Sequence, residues 1–162
     1  MHGDAAVFER ITLEAFQSGL SWLTILRKRD NFRHAFDGFD FERIADYDAS
    51  DVVRLMADSG IVRNGRKIEA TITNARAARS LRADLGSGAL DALVWSHAPS
   101  PRPLTARPAA LAEIPSSTAE STALSKALKQ RGFVFVGPTT MYAAMQACGL
   151  VDDHVAGCFL AA

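Results

Sequence analysis

The segment LMADSGIVRNGRKIEA, residues 55–70, predicts two helices joined by a short hairpin. An apolar helical pattern ends at Gly60, and a second begins near Arg66, directly after the hairpin. Asn64 and Gly65 permit a tight backbone approach there. Such a layout lets backbone N–H groups at the start of the second helix, together with nearby cations, bind phosphate without reading base sequence. The cations in this segment are Arg63, Arg66 and Lys67. An ordinary helix–helix corner with a solvated basic tip is the alternative.

Outward from this segment, nearly every periodic stretch predicts a helix, so the expected fold class is all-α. The first helix covers residues 4–17 and ends before Gly19, and Ser21 is a candidate N-cap for a helix that begins at Trp22. Two further helices are predicted in the middle of the chain, a short one that begins near Asp48 and a long one from about Arg66 to Leu85. The remaining predicted helices cover 89–95, 121–132 and about 139–147, and a last short one begins at Asp153.

Two stretches do not follow the helical pattern. Residues 96–117 contain five of the six prolines and predict an extended connection between two lobes. Residues 133–137, FVFVG, are interpreted as an extended core segment, because an isolated strand has no partner strand in an all-helical chain. We expect residues 1–162 to form a single domain.

Composition limits the class of protein. The chain has 162 residues, of which 48% are hydrophobic, and 18 basic residues balance 18 acidic ones. An apolar content of this size favours a packed core, and the net charge argues neither for nor against nucleic acid. No apolar stretch approaches the roughly 20 residues that span a bilayer. The first ten residues do not resemble a signal peptide, and the two cysteines do not resemble a disulfide scaffold, so we expect a cytoplasmic protein.

The connection between the first two helices, QSGLSW at 17–22, is unusually apolar. Leu20 and Trp22 stand where a connector is normally polar, so they are either core anchors or contacts to something outside the chain. Glu14 lies just before this turn, on the helix face beside Ile11 and Ala15. It is either a surface charge at the margin of the core or a partly buried carboxylate. A buried carboxylate needs donors, and a nucleobase with an exocyclic amine supplies them.

Two further patterns are less specific. Basic residues cluster in RKRDNFR, 27–33, and again at Lys126, Lys129 and Arg131, which fits either solvated helix faces or DNA contact. His154 and Cys158 are four residues apart, so on a helix they would share one face and hold two corners of a tetrahedral zinc site. Packing in the core is the alternative, because no second pair of this kind occurs in the chain.

Taken together, four segments resemble the 3-methyladenine DNA glycosylase I family: LEAFQSGLSWLTILRKRDNFRHAF, DSGIVRNGRKIEATITNARA, IPSST and LSKALKQRGFVFVGPTTMYAAMQACGLVDDHVAGC. The resemblance runs from about residue 4 to 160, in family order. It implies a two-lobed, all-α fold of the helix-hairpin-helix DNA glycosylase superfamily. It also implies a monomeric enzyme of the bacterial cytosol that acts in base-excision repair on double-stranded DNA. Such an enzyme flips out 3-methyladenine and hydrolyses its N-glycosidic bond.

The resemblance also assigns roles to residues at matching positions. Glu14 would hydrogen-bond the flipped base as the catalytic acidic group, and Trp22 would pack against that base. Leu20, beside Gly19 and Gln17, would fill the space that the base leaves in the duplex. The hairpin, with Gly60, Arg63, Arg66 and Lys67, would hold the DNA backbone. His154 and Cys158 would be two ligands of a structural zinc ion.

One departure from the family pattern affects these expectations. Family members carry an upstream segment with a cysteine, a Tyr-His pair and further aromatic residues, whereas this sequence begins at MHGD. Only two of the four expected zinc ligands, and part of the base-stacking wall, are therefore expected in these residues. His2 is not expected to replace a ligand. A non-catalytic helix-hairpin-helix module that binds DNA is the rival hypothesis.

Overall fold

The structure, a computed structural model, describes residues 1–100 and 107–158. Within these ranges it contains eight α-helices and no β-strand, which confirms the all-α prediction. The helices are α1 (Asp4–Gln17), α2 (Trp22–Ala35), α3 (Phe41–Ile44), α4 (Ala49–Ala57), α5 (Gly65–Leu85), α6 (Ala89–Trp95), α7 (Ala119–Gln130) and α8 (Pro138–Cys148). None of those described helices is long and apolar enough to cross a bilayer.

Side chains at the helix starts explain most of these boundaries. Ser21 accepts a hydrogen bond from the backbone N–H of Thr24 at 3.2 Å and so begins α2, as predicted. Asp48 caps α4 together with Asp51, and Thr118 caps α7 in the same reciprocal arrangement. The cap at Ser21 thus fixes the start of α2, the helix that carries Trp22.

Helix α1 lies at the centre of the fold, because it packs against α2, α5, α6 and α8. Phe8 and Phe16 on this helix are completely buried, and the rings of Phe16 and Phe32 of α2 lie 4.7 Å apart. Burial of each large apolar side chain contributes about 2 kcal/mol. The carboxyl end of α1 is therefore held firmly between α2 and α8, and this end carries Glu14 and Gln17.

The segment after α8 differs from the prediction. The short helix expected from Asp153 is absent: residues 151–158 form no helix or strand and contain one turn, at 156–157. Asp153 does not cap a helix but is buried, where it accepts hydrogen bonds from the hydroxyl of Tyr142 and from Gln146. This buried acceptor holds the chain against α8 in a non-helical form, a tertiary contact that local periodicity does not predict.

Other parts of the chain follow the expectation more closely. Residues 133–137 form no strand, as expected, but only part of the segment belongs to the core: Phe133 and Val136 are buried, whereas Val134 and Phe135 are exposed and Phe135 has a φ of +56°. The main chain of Val134 is held by the side-chain amide of Asn74, whose oxygen accepts at 2.7 Å and whose nitrogen donates at 3.0 Å. In the predicted connection 96–117, residues 101–106 lie outside the described ranges, and the remainder contains one 3₁₀ turn, Leu111–Glu113. The short helix α3 and the 3₁₀ turn before it, Asp37–Phe39, were not predicted, because each spans less than two turns.

Candidate active site

A cavity of about 370 Å³ opens where the end of α1, the start of α2 and the middle of α8 meet. Its lining residues are Glu14, Gln17, Trp22, Ala143, Gln146 and Ala147. The volume falls in the range of ligand pockets. The alanines of α8 leave space opposite the indole and the carboxylate, and Gln17 and Trp22 place the connecting turn 18–21 at its edge. The cavity therefore combines one acid, one aromatic ring and an adjacent surface turn.

Glu14 is the one ionisable side chain among the residues that line this cavity. Only 5% of the residue is exposed, and no donor from the described part of the chain hydrogen-bonds its carboxylate. Burial raises the pKa of Glu14 from 4.5 to about 7, and the attraction of Arg10 partly opposes that rise. A carboxylate that is desolvated and lacks donors is ready to accept hydrogen bonds from a bound ligand, particularly a cationic one.

Trp22 is the first residue of α2, and the guanidinium group of Arg10 lies over its indole ring. The guanidinium carbon of Arg10 lies 5.6 Å from the centre of the indole ring. Arg10 is 8% exposed, and its Nε is buried without a hydrogen-bond partner in the described structure. The sequence interpretation missed this residue, although its position four residues before Glu14 places both on one helix face. Arg10 thus contacts one functional side chain and lies close to the other.

The turn between α1 and α2 presents a leucine to solvent. Leu20 is 39% exposed, and Gly19 adopts a φ of +83°, which favours glycine. Two hydrogen bonds between Gln17 and Leu20 close the turn. The backbone N–H of Leu20 donates to the carbonyl of Gln17 at 2.7 Å, and Nε2 of Gln17 donates to the carbonyl of Leu20 at 2.8 Å. An apolar side chain therefore projects from an ordered turn beside the cavity.

The segment 58–64 joins α4 to α5 where the sequence predicts a hairpin, although α4 ends at Ala57, three residues before Gly60. Asn64 caps α5 by accepting the N–H of Lys67 at 3.2 Å. Arg63 and Arg66 are exposed and make no ion pair with any described residue. Exposed cations beside a helix N-terminus are the groups with which proteins commonly bind phosphate.

Two hairpin residues that were predicted to contact DNA are engaged inside the protein instead. Gly60 donates its N–H to Asp58 at 2.7 Å, and a Cβ on this glycine would lie 3.2 Å from Asn31 of α2. Lys67 is 8% exposed, and its ammonium donates to main-chain carbonyls of α1. Both residues therefore hold the hairpin in place, and we reassign them from phosphate contact to positioning the hairpin.

The basic segment 27–33 is mostly neutralised. Arg29 and Arg33 both bind Glu9 of α1, at 2.7 and 3.1 Å, and Lys28 donates to the carbonyls of Ser59 and Gly60. Arg27 is exposed and makes no ion pair within the described ranges. The cluster therefore joins α1, α2 and the hairpin rather than forming one continuous cationic patch.

Another groove, of about 440 Å³, lies between α7 and the start of α8. Lys126, Lys129 and Pro138 line it with three further residues, and none of its lining residues is acidic or aromatic. It lacks the groups that would distinguish one small molecule from another, so the cavity at Glu14 remains the candidate site.

His154 and Cys158 approach each other without a helix. His154 Nδ1 lies 3.6 Å from Cys158 Sγ, across the turn at 156–157. Two ligands of a tetrahedral zinc ion are roughly 3.5 Å apart, so the spacing of this pair fits. No group of three or more potential ligands occurs among the described residues, and His2 instead stacks on Trp95 with ring centres 4.3 Å apart. By itself the pair would supply two of the four ligands that a tetrahedral zinc site needs.

A family model described as methyladenine glycosylase matches residues 1–161. The chain belongs to this methyladenine glycosylase family. It is 50% identical over 152 residues to DNA-3-methyladenine glycosylase 1 of Escherichia coli (strain K12). The matched region covers 94% of this chain and 80% of the relative. A relative from Haemophilus influenzae, DNA-3-methyladenine glycosylase, is 45% identical over the same proportions of both chains.

Solved structures of the family share this arrangement of helices. A crystal structure of 3-methyladenine DNA glycosylase I superposes with a TM-score of 0.91 at 46% identity, covering 98% of this chain and 86% of the other. The Staphylococcus aureus enzyme, solved to explain how it recognises 3-methyladenine, superposes with a TM-score of 0.89 at 33% identity, covering 98% and 83%. The fold of this methyladenine glycosylase family member is therefore the fold of its enzymatic relatives.

Proposed function

We propose that this chain is a DNA repair enzyme that releases 3-methyladenine from alkylated double-stranded DNA. The observation that carries the proposal is the buried carboxylate of Glu14, which faces a cavity beside Trp22 and has no donor from the described structure. The names of the relatives, DNA-3-methyladenine glycosylases of two bacteria, support the reaction and the substrate. They also support placing the enzyme in the bacterial cytosol, and we propose that it acts as a monomer.

The first step is to bring the base into the cavity. A base inside a duplex is inaccessible, and swinging it out costs a few kcal/mol. Leu20 projects from the turn at the edge of the cavity and is 39% exposed, so its side chain can fill the vacated stack and offset part of this cost. Gln17 and Gly19 set the shape of that turn. The wedge and the receiving cavity are thus supplied by adjacent residues.

The second step is recognition of charge. Methylation at N3 makes adenine cationic, and a cationic ring gains from an aromatic face and from a nearby carboxylate. Trp22 supplies a stacking surface that contributes about 1–3 kcal/mol. Glu14 supplies the carboxylate, which accepts a hydrogen bond from the exocyclic amine. Neutral adenine lacks the charge, so this pocket discriminates between damaged and normal bases.

The chemical step then needs little proton transfer. When the bond between N9 and C1′ breaks, its electron pair moves to the base and cancels the positive charge, so the base leaves as a neutral molecule. Water adds to C1′ and loses a proton, which leaves an abasic sugar. Positive charge passes from the base to the sugar as this bond stretches, so the attraction between Glu14 and the base does not itself grow in the transition state. Glu14 acts as the catalytic residue by holding the base through its amine in the position from which the bond breaks.

The hairpin is proposed to hold the DNA backbone in the manner of a helix-hairpin-helix. Arg63 and Arg66 are exposed and unpaired in the described structure, beside the N-terminus of α5. Contacts of this kind position the duplex without reading its sequence, as a repair enzyme that must scan all sequences requires.

His154 and Cys158 are proposed as two ligands of a structural zinc ion that secures the segment after α8. Their 3.6 Å separation supports the assignment. Because the described ranges supply no further ligand beside this pair, we expect these 162 residues to bind zinc weakly. Cobalt titration monitored by absorbance tests this directly: Cys158→Ser removes any thiolate band, and tight stoichiometric binding would show that further ligands exist.

The decisive experiment measures free 3-methyladenine released from methylated DNA. The wild-type chain should release it, and Glu14→Gln should lower the rate by about a hundredfold, because it removes the charge that faces the base. Activity of the wild type should also fall as the pH drops below about 7, since Glu14 is then protonated. Glu69→Gln, an exposed acid on α5, serves as the matched control.

The rival hypothesis gives a different result in the same experiment. A non-catalytic DNA-binding module would bind an abasic duplex yet release no base at any pH. If Glu14→Gln retained the wild-type rate, the assignment of the pocket would be wrong even though the family assignment held.

A further inference from the structure

Lys67 occupies an unusual place for a lysine. It is the third residue of α5, and 8% of it is exposed. Its Nζ donates to the carbonyl of Phe16 at 2.8 Å and to the carbonyl of Ser18 at 2.6 Å. These carbonyls belong to the last turn and the C-cap of α1, directly before Gly19 and Leu20. The side chain thus extends from the helix after the hairpin to the base of the exposed turn.

This location is unfavourable for α5 alone. A cation in the first turn of a helix opposes the helix dipole, and burial disfavours the charged form, so the pKa of Lys67 is lowered. The charge is instead favourable at the carboxyl end of α1, where carbonyl groups lack intrahelical donors. The contact therefore stabilises the end of α1 more than the helix that carries the lysine.

A second lysine makes the opposite connection. Lys28 of α2 donates its ammonium to the carbonyls of Ser59 and Gly60, at 2.9 and 3.2 Å. The exposed turn 18–21 lies between α1 and α2. One ammonium group ties α1 to the start of α5, directly after the hairpin, and the other ties α2 to the hairpin itself. The turn and the hairpin form one unit through these two bridges.

A depressed lysine pKa also occurs in lysines that act as nucleophiles. Lys67 does not fit that role, because its ammonium is already held by two carbonyls and the residue does not line the cavity at Glu14. The geometry favours a mechanical role over a chemical one.

We propose that Lys67 is a positioning residue that couples the hairpin's hold on the DNA backbone to the insertion of Leu20 into the duplex. This inference rests on the proposed function. With Lys67 in place, phosphate binding at the start of α5 sets the position of the turn, so the wedge enters without first becoming ordered. Without it, the hairpin still binds backbone and the cavity still accepts a base, but the two events are no longer aligned.

The test compares Lys67→Met with wild type on the same methylated DNA, first as a duplex and then as separated single strands. We expect the rate on the duplex to fall about ten- to a hundredfold, because small misplacements of a positioned group have effects of this size. The rate on single strands should change much less, since no stack has to be opened. Inhibition by free 3-methyladenine should be unchanged. Arg82→Met, an exposed cation in the last turn of α5, is the control for removal of a positive charge.

A second readout does not depend on catalysis. A duplex with an abasic analogue and 2-aminopurine beside it reports unstacking through an increase in fluorescence. Wild type should raise this fluorescence, and Lys67→Met should bind the same duplex with little increase. If wild type bound and unstacked this DNA but released no base, the proposed activity would fail while the role of Lys67 remained testable.

Some outcomes overturn the proposal. Equal losses on duplex and single strands, or an equal loss of free-base inhibition, would show that Lys67 only supports the fold. A normal fluorescence increase with Lys67→Met would have the same meaning. Should Lys67→Met fail to fold, Lys67→Gln, which keeps a donor, takes its place in the same comparison, together with Lys28→Met for the second bridge.

Discussion

Glu14 should lower the stability of the protein at neutral and alkaline pH. Its pKa is raised from 4.5 in an exposed setting to about 7 by burial. Below pH 4.5 the carboxyl group is protonated in both the folded and the unfolded chain, so it has no pH-dependent effect. Between these two pKa values the unfolded chain releases the proton while the folded protein keeps it, so stability falls as the pH rises. Above pH 7 the loss is complete and amounts to about 3 kcal/mol.

Replacing Glu14 with glutamine removes this titration while nearly preserving the shape of the side chain. The stability of Glu14→Gln minus that of wild type should increase by about 2.5 kcal/mol between pH 5 and pH 8. For a chain of this size, this corresponds to a relative rise in melting temperature of roughly 5–10 °C. The substitution that removes activity would thus raise stability at pH 8, where the wild type is expected to be active.

Urea unfolding of both proteins at pH 5 and pH 8 measures the effect, with equal m-values showing that the unfolded states are comparable. Glu69→Gln, whose side chain is exposed, is the control for removal of a charge. The reasoning is refuted if the stability difference between Glu14→Gln and wild type is the same at both pH values. It is also refuted if Glu14→Gln loses stability relative to wild type as the pH rises from 5 to 8.

Three further perturbations follow from the same contacts. Leu20→Ala should reduce excision from duplex DNA more than it reduces inhibition by free 3-methyladenine; equal effects would remove the wedge role. Arg10→Met should move the acid limb of the activity profile to higher pH, because Arg10 lowers the pKa of Glu14, and an unchanged profile would argue against this coupling. Gly60→Ala should cost about 1–3 kcal/mol in urea unfolding, because a Cβ would lie 2.9 Å from Asp58 and 3.2 Å from Asn31. Gly137→Ala, with no atom within 4 Å of the added Cβ, is its control.

Local signals predicted the helical framework well. The side chain of Ser21 begins α2 where its N-cap pattern indicates, and the two helices around the hairpin 58–64 lie where the apolar periodicity places them. These features depend on neighbours within about four residues, which is the range that periodicity and capping describe. The segment after α8 was mispredicted for the opposite reason. Asp153 is bound by Tyr142, and this contact across 11 residues overrides local helical preference.

The cavity was only partly predictable for a similar reason. Glu14, Gln17 and Trp22 are close in sequence, so one motif points to all three, and the structure brings them together around one space. The opposite wall, with Ala143 and Gln146, comes from α8 more than a hundred residues later, and no local pattern links it to α1. Arg10 carried a readable signal, since a charged residue on the buried face of α1 requires an explanation.

The role of each cation was difficult to predict from the sequence, yet near the hairpin the lysines and the arginines differ in their contacts. Lys28 and Lys67 place ammonium groups on main-chain carbonyls within the protein, whereas Arg63 and Arg66 remain exposed beside the hairpin. An ammonium is compact, with donors that rotate to meet carbonyls at a helix end, and a guanidinium presents a planar fork that matches a phosphate. The tertiary contacts therefore separate the lysines, which bind main-chain carbonyls, from the two exposed arginines, which are the ones free to meet the proposed DNA backbone.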